Sequence, residues 1–368
     1  MKNQLYEIVK AYDDIGIHRT GTDVDRATLD WLAAQLRARA AKVSCQDYRF
    51  DFFSANATVI LDGQEIASMP LYYEAIGDVT TDHVAVAEFG DGEHGSGLDD
   101  SLEMIINDAS IRGFEALVIA TRGETGALVA INCAPILRNR IPVMLIPGRY
   151  ASALKAGSVR VQYSATVNPG VSSNITGHWG ESLAGPPFVI TTPMSGWFTC
   201  AGERGTGIAV ALQVAEWLSI NRPHVPLKLI LPSGHELGFY GARKMAQTIT
   251  TRPMAVLHLG SCIANRDASM RAIVHADAAA CEAINTALAP IQILADQPEN
   301  YLNPDYWVGE SQCWAEFGMP MLSVAGISPA FHTADDIART ATTAVLLKHT
   351  VRCMTRAAVA LIEACDSN

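Results

Sequence analysis

The sequence predicts an α/β protein, built as a three-layer α/β/α domain with a mostly parallel central sheet and a smaller β-rich αβ domain inserted into it. After Pro169, apolar strand-like segments alternate with loops and helix-like segments; the strand-like ones read PFVITT, PLKLIL, MAVLHL and PMLSVAG. This alternation is typical of a parallel sheet with helices on both faces. From about Ala55 to Asn168 the pattern changes to short β-rich segments such as HVAVAEFG, ALVIATRG and IPVMLIPG. The change indicates an inserted unit.

The two ends of the chain complete the larger unit. The first 40 residues predict two helices, YEIVKAYDD and DRATLDWLAAQLRARAA, and the strand-like KVSCQDYRFDFF follows them. The segment TTAVLLKHTVRCMTRAAVALIEAC predicts a long helix at the other end. We therefore predict that residues 1–54 and 170–368 form one domain and residues 55–169 a smaller one over its site.

Composition narrows the class of partner. The 368 residues carry a formal net charge of −11 without a cluster of lysines and arginines, which argues against nucleic acid and against an anionic membrane surface. The opening MKNQLYEIVKAYDDIG has charges where a signal peptide would be apolar, and the eight cysteines lack paired spacing. We expect a cytoplasmic enzyme with reduced cysteines and a small-molecule or short peptide substrate.

Acidic residues and histidines stand where several predicted strands end. Glu203 precedes a helix, His235 and Glu236 follow PLKLIL, His258 lies in MAVLHL, and His332 lies in PAFHTADD. Loops at the carboxyl ends of parallel strands meet at one edge of the sheet, and carboxylates and imidazoles are zinc ligands. Spacing alone leaves simpler interpretations open: a carboxylate at a helix N-terminus, a loop histidine and a hydrogen-bonded histidine in a buried strand.

Four segments together carry a family resemblance: HRTGTDVDRATLDWLAAQL, AGERGTGIAVALQVAEWL, SGHELGFYGAR and AFHTADD. They resemble the zinc aminopeptidase family that includes bacterial leucyl aminopeptidases, glutamate carboxypeptidase, the transferrin receptor ectodomain and glutaminyl cyclases. The region IPVMLIPGRYASALKAG resembles the protease-associated domain that this family commonly carries as an insert. The resemblance covers nearly the whole chain and implies a zinc-peptidase-like fold.

The family's two-zinc ligand set is incomplete in this chain. At the position of its His-x-Asp motif, residues 193–195 read Pro-Met-Ser, and its further aspartate appears as Gly260. One of the two metal positions thereby loses the two ligands that it does not share with the other position. The bridging carboxylate, the carboxylate after the base and the final histidine match Glu203, Glu236 and His332. The resemblance thus implies at most one divalent metal ion, zinc in this family, on these three residues.

The family's general-base glutamate corresponds to His235. Because imidazole titrates near neutrality, His235 is a candidate proton carrier, and His258 is a candidate second base or nitrogen ligand. Cys200 is either a nucleophile or a packing residue. Glu310 falls near a substrate-facing loop of the family.

Two classes of function follow from these residues. The first is a divergent aminopeptidase-like hydrolase acting on an amide or peptide-type substrate, or a glutaminyl-cyclase-like acyl transfer enzyme. The second is a metal-free or non-catalytic binding member, as the transferrin receptor ectodomain is. Fold alone does not separate the two. The joint retention of Glu203, Glu236 and His332 favours an enzyme.

Overall fold

The structure is a computed structural model that describes residues 4–92 and 100–366. Its α-helices are α1 (Gln4–Ile15), α2 (Asp23–Arg37), α3 (Asp100–Ile111), α4 (Ala151–Ala156), α5 (Thr206–Asn221), α6 (Tyr240–Ala246), α7 (Ala278–Leu288), α8 (Ala338–Ala341) and α9 (Ala344–Asp366). Its strands are β1 (Lys42–Leu61), β2 (Gln64–Ile66), β3 (Met69–Pro70), β4 (Gly77–Thr81), β5 (Val84–Gly92), β6 (Ala116–Gly123), β7 (Val143–Pro147), β8 (Val159–Trp179), β9 (Phe188–Thr191), β10 (Leu227–Leu231), β11 (Ala255–Leu259), β12 (Ser269–His275), β13 (Ala295–Asp296) and β14 (Met321–Ile327).

A large sheet with a parallel centre forms the middle layer. Its order is β13-β12-β14-β11-β9-β10-β8-β1-β2, and β4 pairs with β8. Strands β14, β11, β9 and β10 run parallel to one another, while β8 and β1 add antiparallel strands on one side. No helix within the described ranges is long and apolar enough to cross a membrane. The predicted α/β fold with a large, mostly parallel sheet is confirmed.

Alternation along the central strands gives the sheet two apolar faces. Ile190 and Leu257 face a core formed with α1, α2, α5, α7 and α9, whereas Val189 and Val256 face a second core. The second core is closed by α6 and by the helical turn Gly309–Phe317. The layers are therefore helix, sheet and helix, with the loops that carry the candidate residues at the carboxyl ends of the parallel strands.

The predicted domain boundaries fall inside two long strands. Strand β1 has 20 residues and β8 has 21, and they pair in one antiparallel ladder that joins Phe50 to Gly170 and Ser54 to Thr166. A separate four-stranded sheet, ordered β3-β7-β6-β5, lies wholly between them in sequence. The connection between residues 55–169 and the large sheet is therefore the ladder of β1 and β8 itself, and not a linker. The division into two domains stays a prediction.

The segment between β6 and β7 reaches the edge of the large sheet where the candidate residues lie. The backbone N–H of Ala130 donates to the carbonyl oxygen of His332 at 2.9 Å, and that of Cys133 donates to the carbonyl oxygen of Glu236 at 3.0 Å. The side chain of Trp197 donates to Asn132 in the same segment. The smaller sheet's loop is therefore anchored directly onto the candidate site.

His18, the first residue of the segment HRTGTDVDRATLDWLAAQL, is buried beneath this region. Its ring stacks on Tyr12 with centroids 3.6 Å apart, and its Nε2 atom donates to the carbonyl oxygen of Tyr12 at 2.9 Å. Nδ1 lies 2.7 Å from Oγ1 of Thr28. Burial lowers the pKa of His18 from 6.5 to about 4, so the folded protein holds this imidazole neutral.

We expect His18 to make the protein acid-sensitive. Its pKa is lower in the folded than in the unfolded chain, so the unfolded chain binds more protons and stability falls as the pH drops from 6.5 to 4. The full contribution is on the order of 3 kcal/mol. In urea unfolding at a series of pH values, His18→Gln should flatten the pH dependence in this window, while the exposed His224→Gln should leave it unchanged. Parallel curves for the parent and His18→Gln would contradict the assignment.

Candidate active site

The turn that carries Glu203 is held by a buried aspartate. Residues Ala201–Gly205 form a single π-helical turn that leads into α5, a geometry often found at functional sites. The Asp336 carboxylate accepts from the backbone N–H groups of Gly202 at 3.0 Å and Glu203 at 2.8 Å. A Cβ atom at position 202 would lie 2.4 Å from Oδ1 of Asp336, so glycine is required there. The turn therefore has one fixed geometry.

Glu203 and its neighbour Arg204 form a fully buried ion pair. Nη2 of Arg204 donates to Oε1 of Glu203, and Nε donates to the carbonyl oxygen of Ser195 at 3.0 Å. Nε2 of His332 lies 3.2 Å from the same Oε1. Burial alone would raise the pKa of Glu203, but the charges of Arg204 and His332 outweigh it and lower that pKa below 4.5. Glu203 is thus an ionised carboxylate shared by two nitrogen groups.

His332 is oriented by a backbone carbonyl group. Its Nδ1 atom donates to the carbonyl oxygen of Ala130 at 3.0 Å, which leaves Nε2 directed at Glu203. Both ring nitrogens of His332 therefore lie beside oxygen atoms, which fixes the orientation of the ring. The φ angle of His332 is 56°, a left-handed conformation that few residues adopt, and the two hydrogen bonds with Ala130 hold it there.

Glu236 is buried but both of its oxygens are already engaged. Oε1 accepts from the backbone N–H of Thr20 at 2.7 Å, and Oε2 accepts from the hydroxyl of Ser195 at 2.7 Å. Ser195 Oγ in turn accepts from the backbone N–H groups of Gly234 at 2.8 Å and His235 at 3.1 Å. The carboxylate therefore stabilises the loop that follows β10, and it does not lie with Glu203 and His332 as a free ligand.

His235 pairs with Glu310, which comes from the helical turn Gly309–Phe317. Nδ1 of His235 lies 3.0 Å from Oε1 of Glu310, and the imidazole packs against Phe239 at 4.8 Å between ring centroids. Burial and the nearby Arg204 lower the pKa of His235 well below 6.5, and burial raises the pKa of Glu310 to about 8. A carboxyl group that fixes one imidazole nitrogen leaves the other nitrogen for a substrate.

His258 lies at the end of β11 and fills space left by a glycine. Its Nδ1 atom is 2.9 Å from Oγ of Ser323 on the neighbouring strand β14. A Cβ atom at position 260 would lie 2.9 Å from Cε1 of His258, so the ring lies where a side chain at position 260 would extend. Burial, and then the Arg204 charge, lower the pKa of His258 to about 3. His258 is therefore a neutral, enclosed imidazole.

Cys200 is a buried residue that packs against Tyr12. Its thiol lies 3.4 Å from the hydroxyl of Tyr12, and both residues are buried. Burial raises the pKa of the Cys200 thiol well above 9, whereas a reactive thiol needs a lowered pKa. The packing interpretation of Cys200 agrees with this geometry.

The predicted zinc ligand set of Glu203, Glu236 and His332 is only partly assembled in this structure. Within residues 4–92 and 100–366, no group of three or more His, Cys, Asp or Glu side chains is placed to hold a metal ion. Glu203 and His332 do lie together, but both carboxylate oxygens of Glu236 already accept hydrogen bonds, from Thr20 and Ser195. The guanidinium of Arg204 also binds the carboxylate that would face the metal, and its positive charge opposes a second cation there. The donor set therefore does not fit zinc in the way the sequence predicted.

Arg204 is the site residue that sequence analysis missed. It stands beside Glu203 at the entrance of an apolar helix, in AGERGTG. An arginine is almost never fully buried unless it is paired, so a charged dipeptide opening a buried helix is a usable signal for an internal ion pair. Thr20 and Ala130 were missed as well, because they act through backbone atoms that carry no sequence signature.

The comparisons with known proteins are structural. No family model and no curated protein matches the chain. Among solved structures, the zinc aminopeptidase BSAP from Bacillus subtilis matches with a TM-score of 0.74 and 18% identity, covering 97% of this chain and 94% of that one. The peptidase M28 precursor from Shewanella amazonensis matches with a TM-score of 0.74 and 16% identity, covering 98% and 93%.

A glutaminyl cyclase from Tannerella forsythia matches with a TM-score of 0.52 and 10% identity, covering 97% of each chain. At these identities the likeness shows the fold and not the activity. It agrees with the resemblance carried by the four sequence segments, which is confirmed at the level of architecture. The chain has the fold of the zinc aminopeptidases.

Proposed function

We propose that the protein is a hydrolase of amide or peptide-type substrates that uses no metal ion at this centre. In this proposal Arg204 supplies the fixed positive charge and the His235–Glu310 pair moves the proton. The observation that carries it is the Arg204–Glu203 ion pair, which places a cation of the chain itself beside the carboxylate that a metal ion would need. The fold likeness to aminopeptidases supports the substrate class.

The exposure of the cluster supports a role for His235 at the entrance. The side chain of His235 is 9% exposed, whereas those of Glu310 and Arg204 are fully enclosed. A substrate would therefore meet His235 first. Its Nε2 atom takes a proton from water as the water attacks the carbonyl carbon, and returns that proton to the departing amine. The Arg204 charge favours the negative charge that develops on the carbonyl oxygen, because enclosure weakens solvent screening.

A second candidate function is a non-catalytic binding protein, and a specific observation favours it. Glu203, Arg204, Glu236 and Glu310 are each at most 1% exposed. A site enclosed to this degree admits only a small part of a ligand. Turnover therefore has to be measured directly, since neither burial nor fold decides it.

We expect chelation to leave both turnover and the thermal unfolding midpoint unchanged. Protein purified without a histidine tag should be assayed before and after dialysis against EDTA. The substrates should include aminoacyl anilides, dipeptides, N-acyl amino acids and peptides with an N-terminal glutamine. Turnover that falls on chelation and returns with zinc would contradict the metal-free proposal. Complete absence of turnover, in protein that still binds members of the panel, would establish the binding function instead.

A further inference from the structure

Three side chains of the site leave one polar atom each unpartnered although they are fully enclosed. These atoms are Nη1 of Arg204, Nε2 of His258 and Oε2 of Glu310. An unsatisfied buried polar atom costs on the order of 1–3 kcal/mol. Three unpartnered atoms in one region indicate that a bound polar ligand completes their hydrogen bonds.

A fourth unpartnered atom locates the region at the edge of the sheet. Thr191 at the end of β9 pairs in register with His258 on β11, and paired residues of parallel strands point to the same face. The hydroxyl of Thr191 has no partner and is fully buried. That face is covered by the helical turn Gly309–Phe317, which carries Glu310. We call the group formed by the side chains of Arg204, Thr191, His258 and Glu310 the polar chamber.

Arg204 lies within electrostatic reach of the other members. After burial, its charge is the main cause that lowers the pKa of His258, and it also acts on Glu310. A guanidinium has only N–H donors and cannot ligate a metal ion. The Thr191 hydroxyl can donate, and an imidazole can donate from whichever nitrogen carries its proton. Burial raises the pKa of Glu310 to about 8, so its carboxyl group is protonated at neutral pH and does not repel an anion. At that pH the chamber therefore favours a ligand that accepts several hydrogen bonds and carries negative charge.

We propose that the polar chamber binds a small carboxylate. A carboxylate has two acceptor oxygens, which can accept from the unpartnered Nη1 of Arg204, from the Thr191 hydroxyl and from His258 together. The binding itself is independent of turnover. The inference rests on the proposed function only in assigning the carboxylate to the substrate, which would then be an amide that also carries a carboxylate group.

The test is calorimetric titration of the whole protein with formate, with bromide as the comparison anion. Thr191→Val is the informative variant, because it replaces an unpartnered hydroxyl by a methyl group and leaves folding intact. Thr355→Val, at a buried threonine of α9 whose hydroxyl donates to the carbonyl oxygen of Val351, is the matched control. We expect formate to bind the parent and the control, and to bind Thr191→Val at least about 5-fold more weakly, the loss of one charge-assisted hydrogen bond.

Formate that does not bind, or binds Thr191→Val as it binds the parent, would overturn the inference. Bromide that binds more tightly than formate would assign the chamber to halides and overturn it as well. Crystals grown with bromide and examined by anomalous scattering give a second reading that needs no variant, since an ion in the chamber must lie beside Nη1 of Arg204. Formate binding without turnover on any substrate would leave this inference standing and remove the proposed function.

Discussion

Arg204→Met is expected to lower the free energy of unfolding by about 3–5 kcal/mol, the range for breaking a buried ion pair from one side. The loss arises because Glu203 would keep its charge with only His332 beside it, in a place that water does not reach. The carbonyl oxygen of Ser195 would also lose its donor, Nε of Arg204. Methionine fills a comparable volume, so the effect would report the lost charge and not a cavity.

Urea unfolding measures this effect, with two comparisons. Arg222 pairs with Glu363 at the surface, with side chains 31% and 62% exposed, and Arg222→Met should cost less than about 1 kcal/mol. The double variant Glu203→Gln/Arg204→Met should recover part of the loss, because it removes both charges together. An Arg204→Met protein as stable as the parent would show that the ion pair is not what holds this centre. Metal analysis of the variant would then reveal whether zinc has replaced the guanidinium.

The architecture could be predicted because its signal is repeated along the chain. The apolar strands β9, β10 and β14 are each followed by a loop and a helix, as the sequence pattern predicts, whereas β11 is followed by strand β12. The boundaries of the inserted segment could not be placed in the same way. Strands β1 and β8 pair along their whole length, so their ladder continues past Ala55 and Asn168, where the sequence pattern changes.

The sequence predicted which loops come together at the site. It did not predict which side-chain atoms contact one another there. Glu203 and His332 come together because both follow strands at the same edge of the sheet. Glu236 lies nearby, yet the direction of its carboxylate depends on Ser195, whose hydroxyl donates a hydrogen bond to Oε2 of Glu236. Residue type shows that Ser195 is a poor metal ligand. It does not show that the same hydroxyl redirects a neighbouring carboxylate.

The substitution expected to lower turnover most is His235→Ala, by roughly 10²- to 10⁴-fold, the usual contribution of a general acid–base group. Folding should survive, because the imidazole makes one side-chain hydrogen bond, to Glu310, and one ring contact, with Phe239. Turnover should be measured on the best substrate of the panel. His275→Ala is the matched control, since His275 stacks on Tyr301 with centroids 3.5 Å apart and makes no contact with the pair. Equal activity in His235→Ala and the parent would remove His235 from the mechanism.

The pH dependence of kcat/KM separates a working His235–Glu310 pair from a structural contact. While Glu310 keeps its proton, its O–H donates to Nδ1 of His235 and the ring proton remains on Nε2, so Nε2 cannot accept a proton from water. Loss of that proton, at a pKa of about 8, reverses the hydrogen bond and makes Nε2 an acceptor. Activity should therefore rise with pH through about 8 in the parent. Glu310→Gln should lower activity and abolish this limb. A limb near the ordinary imidazole pKa of about 6.5 would instead mean that His235 titrates without Glu310, because burial in this structure moves the His235 pKa well below that value.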